Sequence, residues 1–484
     1  MRASPMPGST TSPSQQAKFV TGSTMGHVAV MTATGSVGLV AVFIVDALNL
    51  FYISMLGVQE LAAAIGFAST LLFFTVSIAI GLTMSASALV SRALGRGDRA
   101  EAARMGGASM LFMGVSTALI ALVAWPFIDP LVGMIGATGE TRVLTTRFLQ
   151  IVLPSTPIVA LGMCTTGIMR GTGDARRAMY VTLAAGVAAA VLDPIFIFGF
   201  GLGLDGAAIS TVLSRIILLM VGLHGAHIVH RLVKLPDPRK LMIVARPFFS
   251  IGGPAVLTQL ATPIGNTYVT VEMARFGDEA IAGWAIIGRL IPVAFGVIFA
   301  LSGAVGPILG QNFGARRYDR LNMTMRDSLI FVIIYCVAAW LLLAIFATPL
   351  ANLFGAVGEA KELVIFFCLF VAGTFLFNGA LFVANAAFNN LGFATYSTLF
   401  NWGRSTLGII PFVWVGAQLY GAKGVLMGWG LGAIVFGLAA AIVAFRVVRK
   451  IGTTAALSQS DIDLPPPPPA ANSPFSTGKT ATLQ

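Results

Sequence analysis

Twelve apolar runs constrain this chain of 484 residues more than any other feature. They lie at roughly 28–55, 64–91, 105–128, 143–169, 178–200, 205–231, 246–274, 281–310, 325–350, 361–388, 394–416 and 423–447. A helix that crosses a bilayer needs about 20 mainly apolar residues. Each run reaches or exceeds that length, which predicts an all-α polytopic membrane protein with twelve transmembrane helices. Many runs exceed the minimum, so tilt or kinks are expected. Only 10% of the residues are charged, against 56% hydrophobic. Soluble domains carry about 25% charged residues, so this chain lacks the charge to cover a globular surface in water. A soluble enzyme, a nucleic-acid binder and a secreted disulfide scaffold are excluded on that ground. The 54 glycines suit close helix packing in lipid.

The formal charge of +11 would ordinarily raise nucleic acid as a partner. Its distribution points to topology instead. Nineteen of the thirty basic residues fall in the 2–3, 4–5, 6–7 and 8–9 loops and after the last span, among them Arg92, Arg170, Arg231, Arg316 and Arg449. The alternate loops hold only Arg142, Arg147, Arg275, Lys361 and Lys423. Cytoplasmic loops carry the Lys/Arg excess, so both termini are expected in the cytoplasm of a bacterial inner membrane. Residues 1–27 read as a disordered tail without a cleavable signal, 232–245 as a linker, and 450–484 as a second disordered tail with the five-proline run Pro465 to Pro469. Cys164, Cys336 and Cys368 lie in apolar runs and read as buried small side chains.

The halves 28–231 and 246–449 resemble each other. LGVQELAA at 56–63 aligns with FGDEAIAG at 276–283, and VSRALG at 90–95 with LGQNFG at 309–314. Gly173 aligns with Gly392, Pro194 with Pro411 and Gly206 with Gly424, at displacements between 217 and 220. Six helices per unit is an even number, so both copies start from the same side and the repeats are parallel. Such two-half architectures place the substrate between halves and work by alternating access. The repeat also breaks its symmetry: Asp46 faces Asn266, and Asp193 faces Ile410. That concentrates expected function in the first half.

Three acids lie within spans: Asp46 in the first, Asp193 in the fifth, and Glu272 near the outer end of the seventh. A carboxylate at a helix centre costs about 2.5–3.5 kcal/mol on insertion scales. It persists where it lines a watered cavity, pairs with a cation or holds a proton. Those properties suit a proton-coupled carrier or a cation site; a helix–helix hydrogen bond or a pair with Arg215, Arg289 or Arg404 is the structural alternative. Asn49 shares a helix face with Asp46, and Thr211 and Ser214 form a similar pair on the sixth span. These offer neutral oxygens to one pocket, unless they only bond their own helix carbonyls. In the second half the intramembrane polar residues Gln259, Asn266, Tyr268, Asn378, Asn385 and Asn401 are neutral, and they either line a cavity or join helices. His224, His227 and His230 read as interfacial histidines rather than a metal site, and no cofactor is expected.

The segment VDALNLFYISMLGVQELAA at 45–63 resembles the first span and following loop of the MATE (multidrug and toxic compound extrusion) family. So do ASALVSRALGRGD at 86–98, MRGTGD at 169–174, LDPIFIFGFGLGLDGAA at 192–208 and ILGQNFG at 308–314. The likeness covers nearly all of 30–448, and the branch it resembles most is the DinF-like one, which keeps its key acids in the N-terminal half. The resemblance implies two six-helix lobes around a V-shaped cavity and an antiporter that expels organic cations for H⁺ or Na⁺. Asp46 matches the family's first-span aspartate, Asp193 the aspartate of its LDP motif, and Thr211 a nearby threonine. Ala189 stands where the family often has asparagine, and Gly35 and Gly38 where it often has a first-span proline.

The expected activity is therefore export of small cationic or amphipathic molecules by a monomer, with H⁺ preferred over Na⁺ because the second half lacks intramembrane carboxylates apart from Glu272. A flippase for a lipid-linked saccharide is the alternative. It would use cationic residues in the cavity, although repeat position puts Arg215, Arg289 and Arg404 near helix ends. The 2–3 loop misses the major-facilitator signature, since Gly95, Asp98 and Arg99 have the wrong spacing. A membrane-embedded enzyme would need a cluster such as HExxH, which the sequence lacks.

Overall fold

The computed structural model describes residues 17–56 and 58–462, leaving out the side chains of Asp46, Leu50, Ser54, Gln59, Lys240 and residues 454–462. Among the described residues, eleven helical stretches are long and apolar enough to cross a membrane. They are α1 (Thr24–Ile53), α2 (Glu60–Gly95), α3 (Arg99–Met134), α4 (Gly139–Thr172), α5 (Ala175–Gly199) and α6 (Gly203–Val229) in the first half. The second half has α7 (Leu241–Ala274), α8 (Asp278–Gly314), α9 (Tyr318–Ile345), α10 (Gly358–Leu391) and the long stretch Ala394–Thr453. The last stretch breaks at Tyr420 and Gly421, whose φ values of −135° and 59° are not helical. It therefore makes two crossings, α11 (394–420) and α12 (421–453), and the total is the expected twelve.

Three expected boundaries move. Residues 17–27 are ordered: Lys18–Val20 form a tight turn, Phe19 is buried, and Ser23 caps α1 by accepting from the Gly26 N–H. The last helix continues past residue 450 to Ile462. α7 begins at Leu241, inside the stretch read as linker. The tail residues 1–16 and 463–484, with the five-proline run, lie outside the described residues.

The duplication is visible in the backbone. Helix starts at Arg99, Gly139 and Ala175 recur at Tyr318, Gly358 and Ala394. A seven-residue helix at Ile128–Met134 recurs at Ala347–Leu353, and a single 3-10 turn at Leu153–Ser155 recurs at Ala372–Thr374. Each pair is 219 residues apart, as Arg99 and Tyr318 are. Gly173 and Gly392 close the equivalent helices with φ of 87° and 97°. Left-handed backbone at a helix C-cap is the conformation that favours glycine.

The halves meet at the end that carries most of the basic residues. The repeat-related motifs cross there: a Cβ on Gly95 would lie 2.1 Å from the Gln311 carbonyl oxygen, and one on Gly314 would lie 2.1 Å from that of Arg92. Arg92 donates through Nε to the Asn390 carbonyl at 2.8 Å and through Nη2 to the Asn389 carbonyl at 3.0 Å. Further along, the Ser85 hydroxyl donates to the Phe248 carbonyl at 2.6 Å, and α2 lies against α7 at Gly81 and Val256. These contacts all lie in the basic half of the spans, which sets the halves as a cleft closed at that end.

Candidate functional site

Asp193 stands at the last regular turn of α5. Pro194 follows it and Ile195–Gly199 then form a π-helical turn. Proline lacks the N–H that would bond one turn back, so the helix is loosened beside the carboxylate. The side chain points inward because α5 buries Gly186 and Asp193, seven residues apart, on one face. That face packs on α1: Gly38 sits against Thr182 and Val45 against Gly186. One further step along the same stripe brings Asn49 to Asp193.

The carboxylate is 1% exposed. Asn49 Nδ2 donates to Oδ2 at 2.9 Å, and the Ser210 hydroxyl donates to Oδ1. Three helices, α1, α5 and α6, thus converge on one acid through neutral donors. Among the described residues no lysine or arginine forms an ion pair with it. Arg215 turns away, donating from Nη1 to the Ser155 hydroxyl at 2.8 Å and to the Val152 carbonyl at 3.2 Å. Asp46 lies on α1 one turn before Asn49, and its side chain lies outside the described residues.

Sequence reasoning named Thr211 and Ser214 as oxygen donors to this pocket. Both instead bond their own helix, Thr211 to the Ala207 carbonyl at 2.8 Å and Ser214 to that of Ser210 at 2.7 Å. The missed residue is Ser210. A signal for it exists: Gly206, Ser210 and Ser214 form a small-residue stripe at four-residue spacing, the pattern that lets helices approach closely. A Cβ on Gly206 would lie 2.6 Å from the Phe196 backbone, so this stripe faces α5. Gly35 and Gly38, where the family often has proline, are packing positions against Ala300 and Thr182, and α1 runs unbroken.

The second half holds a different arrangement. Asn378 and Asn385 share the buried face of α10, as expected, and both point at α11. Arg404 Nη1 donates to Asn378 Oδ1 at 3.0 Å, Asn401 Nδ2 to Asn385 Oδ1 at 3.0 Å, and the Ser397 hydroxyl to Asn389 Oδ1 at 3.1 Å. This ladder joins the two helices and reaches α7, where Arg404 Nη2 donates to the Thr262 hydroxyl at 3.1 Å. Arg404 was expected near a helix end; it lies in the ladder, 6% exposed, at the start of the π-helical turn Arg404–Gly408. Its Nε, Asn378 Nδ2 and the Ser405 hydroxyl are buried and have no hydrogen-bond partner among the described residues.

The remaining candidates do not join either group. Glu272 is buried and pairs locally with Arg275 at 3.0 Å, and Tyr268 lies one turn back on the same helix. Gln259 is half-buried and Asn266 exposed on α7. His227 and His230 take separate partners, the Val233 carbonyl and the Asp174 carboxylate, each at 2.9 Å.

Three comparisons with known proteins bear on this geometry. Residues 36–195 and 254–415 match the MatE family, one segment in each half. The chain is 28% identical to a FAD transporter of Shewanella oneidensis over 433 residues, covering 88% of this chain and 95% of that protein. It is 26% identical to the multidrug export protein MepA of Staphylococcus aureus over 411 residues, covering 84% and 90%. Its fold overlays that of a Vibrio cholerae MATE transporter, VcmN in its bent form, with a TM-score of 0.84 at 26% identity, covering 89% of this chain and 98% of the other.

Proposed function

This chain belongs to the MATE family of membrane transporters, and from that premise we propose that it exports organic cations in exchange for protons through Asp193 and Asp46. The observation that carries the proposal is the Asp193 carboxylate, buried between three helices and held, among the described residues, by the neutral donors Asn49 and Ser210 alone. A buried carboxylate without a counter-charge is stabilised by a proton or by a bound cation. Those two states exclude one another, and that exclusion is the basis of exchange: protonation removes the attraction for a cationic cargo, and loss of the proton restores it. Asp46, one turn before Asn49 on the same helix face, is the second acid of the pair. Proton rather than sodium coupling is favoured because the second half offers, among the described residues, no acid deep within a span apart from Glu272, which pairs with Arg275.

The orientation proposed is cytoplasmic for the basic end, in a bacterial inner membrane. Charge pairing supports it. At the opposite end Arg142 pairs with Asp129, Arg147 with Asp205, Arg275 with Glu272 and Lys423 with Glu362. The uncompensated positive charge therefore gathers where the positive-inside rule places it.

The test is transport in proteoliposomes loaded with ethidium under imposed proton or sodium gradients. Wild-type protein should respond to the proton gradient, and Asp193→Asn and Asp46→Asn should not. Undiminished proton-driven efflux in folded Asp193→Asn protein would sink the proposal, and efflux driven only by sodium would reverse the choice of ion.

A second reading, export of an anionic or amphipathic cargo such as a flavin dinucleotide or a lipid-linked saccharide, has its own observation. Arg404 is a buried guanidinium with no carboxylate partner among the described residues and with unpartnered donors beside it. Parallel assays with FAD and ethidium separate the readings. FAD transport lost in Arg404→Gln, with ethidium transport intact, would favour the second.

A further inference from the structure

The motif LGQNFG at 309–314 is not used by the proposed exchange, and its side chains have a different task. The extended and turned segment before α1, residues 18–22, lies in a groove between the halves at the basic end. The Phe19 N–H donates to Gln311 Oε1 at 2.9 Å, and Gln311 Nε2 donates across to the Gly171 carbonyl of the first half at 2.7 Å. Asn312 Nδ2 donates to the Phe19 carbonyl at 3.2 Å. Arg320 Nη2 donates to the carbonyls of Phe19, Thr21 and Gly22 at 3.1, 3.3 and 2.9 Å, while its Nε donates to Asn312 Oδ1 at 3.0 Å. On the first half, Lys18 Nζ donates to the Gly173 carbonyl at 2.8 Å. The Phe19 ring is 1% exposed and presses so closely on Gly173 that a Cβ there would lie 2.9 Å from it.

Arg320 makes this segment more than a packed terminus. It is 7% exposed and forms no ion pair with a carboxylate among the described residues. Its acceptors are the segment's own carbonyls. Withdrawal of the segment from a closed end would leave a buried guanidinium with one side-chain acceptor, a costly state. Closure of that end and docking of the segment are therefore linked.

The pseudo-symmetry sharpens the point. The stretch leading into α7 docks on the third helix of the opposite half: the Lys234 N–H donates to the Ala103 carbonyl at 3.1 Å, and Gly106 and Gly107 admit its main chain. The stretch leading into α1 likewise docks on the opposite half's third helix, α9, through Arg320. The linker is tethered to both halves by the chain. Residues 18–22 hold the second half through noncovalent contacts with Gln311, Asn312 and Arg320, so that hold is releasable.

We propose that residues 18–22 are a clasp that holds the basic end closed and must leave Gln311, Asn312 and Arg320 when that end opens. The proposal rests on alternating access but not on which ion or cargo moves. It is read by conformation rather than transport, so a failure of the exchange reading leaves it standing.

The experiment places spin labels at Arg96→Cys and Arg316→Cys, exposed positions flanking the crossing of the two motifs, in reconstituted full-length protein with the three buried cysteines replaced by alanine. Phe19→Ala and Gln311→Ala should each raise the ratio of long to short distances by about fivefold or more, the effect of a small loss of closing energy. An unchanged distribution in folded protein of both variants overturns the clasp. A second measurement leaves the contacts intact: a label at Val20→Cys should show an immobile spectrum that gains a mobile fraction under whichever imposed proton or sodium gradient lengthens the distance between the labels at 96 and 316. A spectrum that stays immobile while that distance lengthens also overturns it.

Discussion

The two halves share a backbone and oppose each other in polarity. Helix starts, caps and turns recur 219 residues apart, as at Gly173 and Gly392. Yet the buried ionisable centre of the first half is a carboxylate held by α1, α5 and α6, and that of the second is a guanidinium held by α7, α10 and α11. These centres do not stand at equivalent positions: Asp193 aligns with Ile410. The duplicated scaffold thus specifies where helices run and where they pause, and it leaves the choice of interior chemistry to each copy.

The largest expected effect breaks the comparison on its acidic side. Asp193→Asn should cut proton-driven ethidium efflux by about tenfold or more, equivalent to about 1.4 kcal/mol, with little change in thermal stability because the amide still accepts from Ser210. Loss of folded protein instead would make Asp193 a structural residue. Next, Arg404→Gln should lower thermal stability, since Asn378 and Thr262 lose a buried partner; the expected cost is about 1–3 kcal/mol, read from denaturation in detergent. Stability equal to wild type would show that the guanidinium is not integral to the ladder.

A finer comparison lies within one helix. Ser210→Ala should slow efflux severalfold, while Thr211→Ala and Ser214→Ala should stay near wild type, because only the Ser210 hydroxyl reaches Asp193. Equal losses in all three would return Thr211 and Ser214 to the site. The smallest effect concerns Asp174, in the loop before α5. Burial pushes its carboxyl up, but hydrogen bonds from Arg177 and from His230 outweigh that and hold it below its ordinary value. A depressed carboxyl contributes stability above its unfolded value, and that stability is lost as pH falls through the folded one. Asp174→Asn should therefore lower stability slightly in the neutral range, leave it unchanged at the acid extreme and so flatten the acid limb, as thermal melts across pH would record.

The spans and the repeat were legible because both rest on local, one-dimensional signals: runs of apolar residues and glycines at fixed spacing. Asp193 and Asn378 were legible because a polar residue deep in an apolar run is conspicuous. Ser210 is hard to tell from Thr211 in the sequence because which of them faces Asp193 depends on the rotation of α6 about its axis, which the neighbouring helix decides. Arg404 was misplaced for a related reason. Its depth follows from Asn378 and Thr262, partners on two other helices, and no period within α11 announces them. The clasp was invisible because residues 18–22 are few, follow a polar tail and bond mainly through their backbone, whose partners composition cannot reveal.

The crossing of Gly95 over Gln311 and of Gly314 over Arg92 closes one end of the molecule backbone against backbone. Side chains in a gate hop between rotamers in picoseconds to nanoseconds when free, whereas whole helices separate in microseconds to milliseconds. A seal made of main chain has no rotamer to hop. It leaks only when the halves themselves part, and for a transporter this ties the lifetime of the seal to the slow clock of the transport cycle.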